Sequence, residues 1–235
     1  MSIQTVLFDL DGTLLPMDQN LFVKTYLKEL AAKLAPYGYE PARLIESIWT
    51  GTAAMVKNDG SRSNEAVFWS EFTAIHGQQA LEHQPVFAEF YANEFQNVRF
   101  VCGYTEQAAE VIALVKEKGL RAVLATNPIF PAIATESRIR WAGLSPADFA
   151  LYTTYENSRY CKPKLAYYQD ILTQLGGKPE ECLMVGNDVT EDMAARALGM
   201  QVFLLTDCVI NRQGEDLSLY PHGGYPELLD FIRAL

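Results

Sequence analysis

The stretch TVLFDLDGT, residues 5–13, sets a short apolar run directly before two aspartates and a glycine. Such a run, β-branched at its start and closed by Asp-Gly, predicts a buried β-strand that ends in a turn. The carboxylates of Asp9 and Asp11 then follow the strand two residues apart, where they can take different roles in one site. An ordinary Asx turn explains the segment equally well when it is taken alone. A calcium loop does not, because Asn20 stands where that loop carries its bidentate glutamate.

Downstream of this strand the sequence keeps helical spacing as far as about Arg99. An apolar stripe predicts the first helix and consists of Leu21, Tyr26, Leu27, Leu30 and Leu34. Further helices are expected at about 41–57, 64–75 and 85–97, and no strand is expected between Met17 and Arg99. The segment 17–100 is therefore predicted to be an all-α insertion placed soon after the first strand.

From about Thr105 the sequence alternates between strands and helices. Strands are expected at 122–125, near Tyr152, at 182–185 and at 202–205. Helices are expected at 105–118, from Pro128 onward, at 165–175 and at about 190–198. Regular alternation of this kind indicates a parallel sheet wrapped by helices. We therefore predict an α/β protein with a Rossmann-like core formed by residues 1–16 and 101–235.

Polar side chains follow the stronger strands at the point where each one ends. They are Asp9 and Asp11 after the first strand, Thr126 and Asn127 after the second, and Asn187 and Asp188 after a later one. In an open parallel sheet, reactive groups gather beyond the carboxyl ends of the strands. These side chains are therefore expected to share one edge of the sheet.

Composition restricts the classes of partner. The net charge of -10, without a long run of lysine or arginine, argues against binding to nucleic acid or to an acidic membrane surface. No apolar stretch approaches the roughly 20 residues of a membrane helix, and the N-terminus lacks the layout of a secretory signal. The four cysteines form neither a CxxC pair nor a zinc-finger spacing, so reduced thiols in a cytoplasmic protein are expected.

The segment FDLDGT, residues 8–13, resembles the first motif of the haloacid dehalogenase superfamily. The resemblance implies that Asp9 is a nucleophile, that Asp11 is an acid/base and that Thr13 belongs to the substrate-binding residues. Three further motifs should follow in order along the chain. Each of them has a counterpart here, and their joint presence is more specific than any one motif.

The second motif of that family is similar to VLATN, residues 123–127. The Thr126 hydroxyl, the Asn127 side chain and the amides of a helix opening at Pro128 would bind phosphate oxygens. A simple helix cap made by Thr and Asn is the alternative interpretation of this segment.

The third motif is similar to RYCKPK, residues 159–164. Tyr168 supplies the aromatic residue six positions after the lysine, which selects Lys162 rather than Lys164, although Leu165 departs from the family's usual second proline. The resemblance implies that Lys162 pairs with the Asp9 carboxylate and with the incoming phosphate, stabilising charge in the transition state.

The fourth motif is similar to the acidic segment that follows the strand at 182–185. The resemblance implies that Asp9, the Asp11 main-chain carbonyl and Asp188 hold Mg²⁺, which prefers hard oxygen ligands and keeps several waters. Asn187 stands where the family pattern has its aspartate, so it is the alternative metal ligand. Asp192 is expected to act through a water or to orient the lysine of the third motif.

The resemblance as a whole implies a Mg²⁺-dependent phosphatase that hydrolyses a small phosphorylated metabolite through a phospho-aspartate, with the segment 17–100 as a helical type I cap. A phosphomutase of the same family and a non-catalytic protein that binds a phosphate ligand are the alternatives. A carbon-halogen dehalogenase is disfavoured, because it needs neither Asp11 nor a metal. Within the cap, substrate contacts could come from Lys24, Tyr26, Lys57 and Arg62, whereas a structural core is expected from Trp49, Phe68, Trp69 and Phe72.

Overall fold

Five parallel β-strands form the centre of the structure, a computed structural model that describes residues 2–235. The strands are β1 (Thr5–Phe8), β2 (Arg121–Leu124), β3 (Cys182–Gly186), β4 (Gln201–Leu205) and β5 (His222–Gly223). Their order across the sheet is β2-β1-β3-β4-β5, which places β1 between β2 and β3. The α/β fold with a parallel Rossmann-like sheet is thus confirmed.

The register of β1 with its two neighbours, β2 and β3, brings the carboxyl ends of these three strands to one level. Phe8, the last residue of β1, lies opposite Leu124 of β2 and Val185 of β3. All four residues of β1 and all five of β3 are buried, as expected for a parallel sheet that is covered on both faces. The residues that follow these strands therefore emerge side by side at one edge.

Four helices and three 3-10 segments occupy the chain between β1 and residue 101. The helices are α1 (Gln19–Leu34), α2 (Pro41–Lys57), α3 (Asn64–His76) and α4 (Gln84–Ala92), and the 3-10 segments are Ala35–Tyr37, Gln78–His83 and Glu94–Val101. The predicted helices are present, and within the described chain no strand lies between Met17 and Arg99. In the same described range, residues 2–235, every helix is too short or too polar to cross a membrane.

The apolar stripe of α1 is buried as predicted, with one exception. Leu21 is 46% exposed, and the neighbouring Phe22 is buried in its place. Phe22 packs edge-on against Phe95, with ring centroids 6.3 Å apart, and Phe95 stacks at 5.0 Å on Trp141. The helical insertion and the sheet-bearing part of the chain therefore share one continuous hydrophobic core.

The aromatic residues of the insertion do not all belong to that core. Phe68, Trp69 and Phe72 are buried, as expected, but Trp49 on α2 is 51% exposed. The expectation that Trp49 is a core residue is therefore wrong.

Four further helices complete the fold: α5 (Glu106–Glu117), α6 (Ala132–Trp141), α7 (Leu165–Leu175) and α8 (Tyr225–Arg233). The predicted helix start at Pro128 is wrong, because α6 begins only at Ala132. Phe130 precedes Pro131, and a residue before proline is disfavoured in helical conformation. Residues 128–131 form a loop instead.

Two other predicted elements are weaker than expected. The strand near Tyr152 is reduced to a single bridge with Leu124, and the helix at 190–198 to a 3-10 segment, Met193–Leu198. β5 and α8 lie beyond the range in which the sequence suggested elements. All four cysteines are free thiols.

Candidate active site

Asp9 is the first residue after β1, and its backbone N–H still donates to the carbonyl of Val185 at 2.9 Å. This bond extends the sheet pairing by one residue and fixes the direction of the side chain. The carboxylate is almost entirely buried and lines a cavity of about 150 Å³ at the carboxyl edge of the sheet. Its Oδ1 accepts from Lys162 Nζ at 2.8 Å, and its Oδ2 accepts from the Thr13 hydroxyl at 3.1 Å. Lys162 and Thr13 therefore both contact the Asp9 carboxylate.

Lys162 is a fully buried cation that lies just before α7 and touches two carboxylates. Its Nζ lies 2.8 Å from Asp9 Oδ1 and 2.6 Å from Asp192 Oδ1. Burial alone would lower the pKa of Lys162, but the charges of Asp192 and Asp9 outweigh it and hold the pKa well above its ordinary value. Lys162 therefore carries its positive charge at neutral pH.

Asp192 connects Lys162 to the loop after β3. Its Oδ1 accepts from Lys162, and its Oδ2 accepts the backbone N–H of Asp188 at 3.0 Å. Burial raises the pKa of Asp192, and the charge of Lys162 opposes that shift. The carboxylate comes so close to Gly186 that a Cβ on that residue would lie 2.1 Å from Asp192 Oδ2. The end of β3 therefore has to be glycine for Asp192 to reach the lysine.

Asp11 presents a second carboxylate to the same cavity. Its Oδ2 pairs with Arg138, whereas its Oδ1 is buried and has no hydrogen-bond partner in the part of the chain described. Burial raises the pKa of Asp11 above its ordinary value; Arg138 opposes the shift and Asp9 adds to it. The protonated form of Asp11 is therefore favoured more than that of an ordinary aspartate.

Arg138, which the sequence analysis did not single out, is the ion-pair partner of Asp11. It stands on the buried face of α6, four residues after Ala134 and three before Trp141, and it is fully buried. Its guanidinium pairs with Asp11, donates to the Thr135 hydroxyl at 3.3 Å and lies 4.4 Å from the ring centroid of Phe130. The sequence signal for this residue is an arginine at a position of α6 where an apolar residue is expected. Its partner, Asp11, can be identified only from the folded structure.

Thr126 and Asn127 follow β2 and line the same cavity as Asp9 and Asp11. Asn127 Nδ2 donates to Glu191 Oε2 at 3.1 Å, while Asn127 Oδ1 is buried without a partner among the described residues. The helix whose amides were expected to bind phosphate here is absent at Pro128. The amide of Ala132, where α6 does begin, is occupied by the carboxylate of Glu156 at 2.9 Å. The second motif thus brings side chains to the cavity but no helix N-terminus.

Asn187 and Asp188, the two alternatives for the third metal ligand, differ in what their oxygens already bind. Asp188 Oδ1 accepts the backbone N–H groups of Thr190 and Glu191, both at 2.9 Å, and its Oδ2 accepts from Arg212 at 3.0 Å. Asp188 therefore acts as a cap for the segment that follows it. Asn187 Oδ1 has only the Thr13 hydroxyl, at 3.2 Å.

The Thr13 hydroxyl contacts Asn187 Oδ1 and Asp9 Oδ2 together, although a hydroxyl has one proton to donate. One of these two oxygens is consequently left without a hydrogen, which suits a cation between them. The Asp11 main-chain carbonyl, which accepts from Gln19 at 3.3 Å, lies in the same turn. Within residues 2–235 no group of three His, Cys, Asp or Glu side chains forms a metal cluster. An all-oxygen set with one carboxylate, one amide and one main-chain carbonyl nevertheless fits Mg²⁺, which completes its shell with water.

A family model for haloacid dehalogenase-like hydrolases matches residues 3–199. Among solved structures, the chain is similar to a HAD phosphatase from Thermococcus onnurineus, with 17% identity over 98% of each chain and a TM-score of 0.60. It is also similar to a 2-haloacid dehalogenase from Pseudomonas syringae pv. tomato DC3000, with 20% identity over 99% of this chain and 98% of that chain and a TM-score of 0.63. A proposed HAD-hydrolase from Bacillus subtilis, YfnB, bound to magnesium, has 16% identity over 99% of each chain and a TM-score of 0.55. No curated protein sequence matches the chain.

Proposed function

Because this chain belongs to the haloacid dehalogenase-like hydrolase family, we propose that it is a Mg²⁺-dependent phosphatase that hydrolyses a small phosphate monoester through a phospho-aspartate on Asp9. The observation that carries the proposal is the pair of unequal carboxylates in one cavity. Asp9 is held by Lys162 and Thr13, as a nucleophile must be. Asp11 has a raised pKa, as suits a general acid.

In the first half of the reaction, a carboxylate oxygen of Asp9 attacks phosphorus and forms a new P–O bond while the bond to the substrate's alcohol oxygen breaks. Lys162 donates to Asp9 Oδ1 and so holds the carboxylate in place. The departing alkoxide takes the proton of Asp11, and the alcohol leaves neutral. The products of this half are the free alcohol and the phosphorylated Asp9.

In the second half, the carboxylate of Asp11 takes a proton from a water molecule that attacks the same phosphorus. The acyl-phosphate P–O bond breaks, inorganic phosphate leaves, and Asp9 regains its carboxylate. Asp11 is then protonated again and ready for the next substrate. Arg138 holds one oxygen of Asp11 throughout and leaves the other free to exchange the proton.

When Mg²⁺ is bound, it supplies positive charge that offsets the charge of the phosphoryl group. Its ligands in this proposal are Asp9, the Asp11 main-chain carbonyl and one residue after β3. The sequence favoured Asp188 for that last position. The contacts favour Asn187, since both oxygens of Asp188 are already hydrogen-bonded. Phosphate oxygens would be bound by the side chains of Thr126 and Asn127, which line the cavity, while Lys162 stays paired with Asp9.

The helical segment 17–100 is proposed as the cap over this site. We call the cavity that holds Asp9 and Asp11 the catalytic cavity. This segment contributes four residues to its lining: Met17, Gln19, Phe22 and Val23. A cap in this place would keep bulk water out of the cavity and contact the alcohol portion of the substrate.

A dehalogenase acting on a small halogenated acid is disfavoured by the charges of the cavity. Its described lining residues include Asp9, Asp11, Asp188, Glu191 and Asp192 but no lysine, arginine or histidine. Without a metal, a substrate carboxylate would meet negative charge there with no exposed cation to pair with it, whereas Mg²⁺ would offset the charge of a phosphate monoester.

The proposal is tested by measuring phosphate release from 4-nitrophenyl phosphate and chloride release from 2-chloropropionate, each with Mg²⁺ and with excess chelator. Phosphate release that needs Mg²⁺, without chloride release, is the expected result, and Asp9→Asn should abolish it. Chloride release, or phosphate release that survives both the chelator and Asp9→Asn, would contradict the proposal.

A further inference from the structure

A second cavity, of about 280 Å³, adjoins the catalytic cavity. Val23, Ile129 and Phe130 line both, so the two spaces meet at these three residues. A cavity of roughly 150 Å³ holds a benzene ring, so the second cavity accepts a group larger than an unsubstituted ring. We name it the cap cavity, because helices α1 to α4 provide most of its lining.

Aromatic rings dominate the walls of the cap cavity. They belong to Tyr26, Trp49, Phe68, Trp69, Phe87, Tyr91, Phe130 and Tyr155. The hydroxyl groups of Tyr26 and Tyr91 are 2.8 Å apart and satisfy each other, which leaves their rings as the surface available to a ligand. Among the residues expected from the sequence to contact substrate, Tyr26 lines this cavity, whereas Lys24, Lys57 and Arg62 line neither cavity.

The charged residues in the described lining of the cap cavity are two glutamates, and no lysine, arginine or histidine is among them. Glu156 is already used, since both of its carboxylate oxygens accept the N–H of Ala132 at the start of α6. Glu65 lies in the first turn of α3, and burial together with the nearby charge of Glu156 raises the pKa of its carboxyl above the ordinary value. Its half-buried carboxylate makes no hydrogen bond or ion pair within residues 2–235 of the structure.

We propose that the cap cavity binds the alcohol portion of the substrate, and that this portion is an aromatic or other bulky apolar group carrying a protonated amine that pairs with Glu65. The inference rests on the phosphatase function proposed above. Aromatic faces and an unpaired carboxylate both attract a cation, and each interaction strengthens where water is excluded. A carboxylate on the alcohol portion would instead be repelled by Glu65 and Glu156.

The first test compares three phosphate monoesters whose one para substituent is cationic, neutral or anionic: 4-(aminomethyl)benzyl, 4-methylbenzyl and 4-carboxybenzyl phosphate. With Mg²⁺, kcat/KM should fall in that order, with the cationic ester about tenfold or more above the anionic one. Glu65→Gln should reduce the cationic ester to the level of the neutral one. Glu46→Gln, an exposed position on α2 outside both cavities, should change nothing. Equal rates, or a preference for the carboxylate, would overturn the proposal.

The second test needs no catalysis. Trp49 and Trp69 line the cap cavity, so their fluorescence reports its occupancy during titration with 4-methylbenzylamine or with 4-methylbenzoate. The amine should bind about tenfold or more tightly, and Glu65→Gln should remove the difference. Equal or tighter binding of the benzoate would overturn the assignment of the cavity. Preferential binding of the amine without turnover of any of the three esters would instead support the cavity's chemistry and contradict the phosphatase function.

Discussion

The ammonium group of Lys162 lies 2.8 Å from Oδ1 of Asp9, and neither side chain reaches far into solvent. A buried cation in this position orients the carboxylate that we propose as the nucleophile. It also remains beside the phosphoryl group during transfer, where negative charge is concentrated. The Lys162–Asp9 contact should therefore affect both the free energy of unfolding and the rate of phosphoryl transfer. Mutations can separate these two effects.

Lys162→Met should reduce phosphatase turnover by about 10² or more, because the nucleophile loses its positioning cation. It should also lower the free energy of unfolding by about 3 kcal/mol or more, because Asp192 and Asp9 would be left as buried charges without a partner. Urea unfolding and turnover of an aryl phosphate measure the two effects separately.

The double variant Lys162→Met/Asp192→Asn is the control for this prediction. Removing the Asp192 charge should restore part of the lost free energy of unfolding, since one unpaired carboxylate disappears. Activity should stay low, because the cation beside Asp9 is still missing. A double variant that is no more stable than Lys162→Met would show that the buried ion pair is not the source of the stability loss.

Arg138 should matter most when the leaving group is poor. Arg138→Met removes the partner of Asp11 and frees its side chain to move, so protonation of an alkoxide should suffer. We expect kcat for an alkyl phosphate to fall by about tenfold or more, and kcat for an aryl phosphate, whose phenolate leaves without help, to fall much less.

Arg140→Met is the matched control on the same helix. Its side chain is mostly exposed and pairs with Glu136, away from the cavity, so both substrates should be turned over at wild-type rates. If Arg138→Met slowed both substrates equally, a general loss of structure would explain the result, and the role given to Arg138 would be wrong.

The sequence predicted the parts of this site that lie next to strand ends. Asp9 and Asp11 come directly after the apolar run of β1. The spacing between Lys162 and Tyr168 matches the family's third motif and favours Lys162 over Lys164. Arg138 could not be found in this way, because its partner Asp11 is distant in sequence and the contact depends on how α6 packs against the turn after β1.

Local signals also misled where tertiary context decides. Pro128 suits a helix start, but Pro131 disfavours helical backbone at Phe130, so α6 begins at Ala132. The resulting loop places Phe130 in the lining of both the catalytic cavity and the cap cavity. Trp49 is a large aromatic residue of the kind expected in a core, yet its side chain is half exposed and lines the cap cavity.

Metal binding should distinguish the two alternatives for the ligand after β3. Mg²⁺ that binds the folded protein raises its Tm, and the dependence of Tm on Mg²⁺ concentration gives the affinity without any activity assay. Asn187→Ala should weaken this affinity by about tenfold, because one oxygen ligand is lost. Asp188→Asn should weaken it less, since an amide oxygen can still accept the N–H groups of Thr190 and Glu191. A larger effect of Asp188→Asn would restore Asp188 as the metal ligand.

The most direct test of the account is to locate the phosphoryl group on the enzyme during turnover. Asp11→Asn should slow hydrolysis of the intermediate by about 10² or more, so that phosphorylated protein accumulates with an aryl phosphate as substrate. Acid quenching, proteolysis and mass spectrometry should then place the phosphoryl group on Asp9. The double variant Asp9→Asn/Asp11→Asn should carry none. A phosphoryl group on any other residue, or its persistence in the double variant after hydrolysis of the introduced amides back to aspartate has been excluded by mass, would contradict the mechanism.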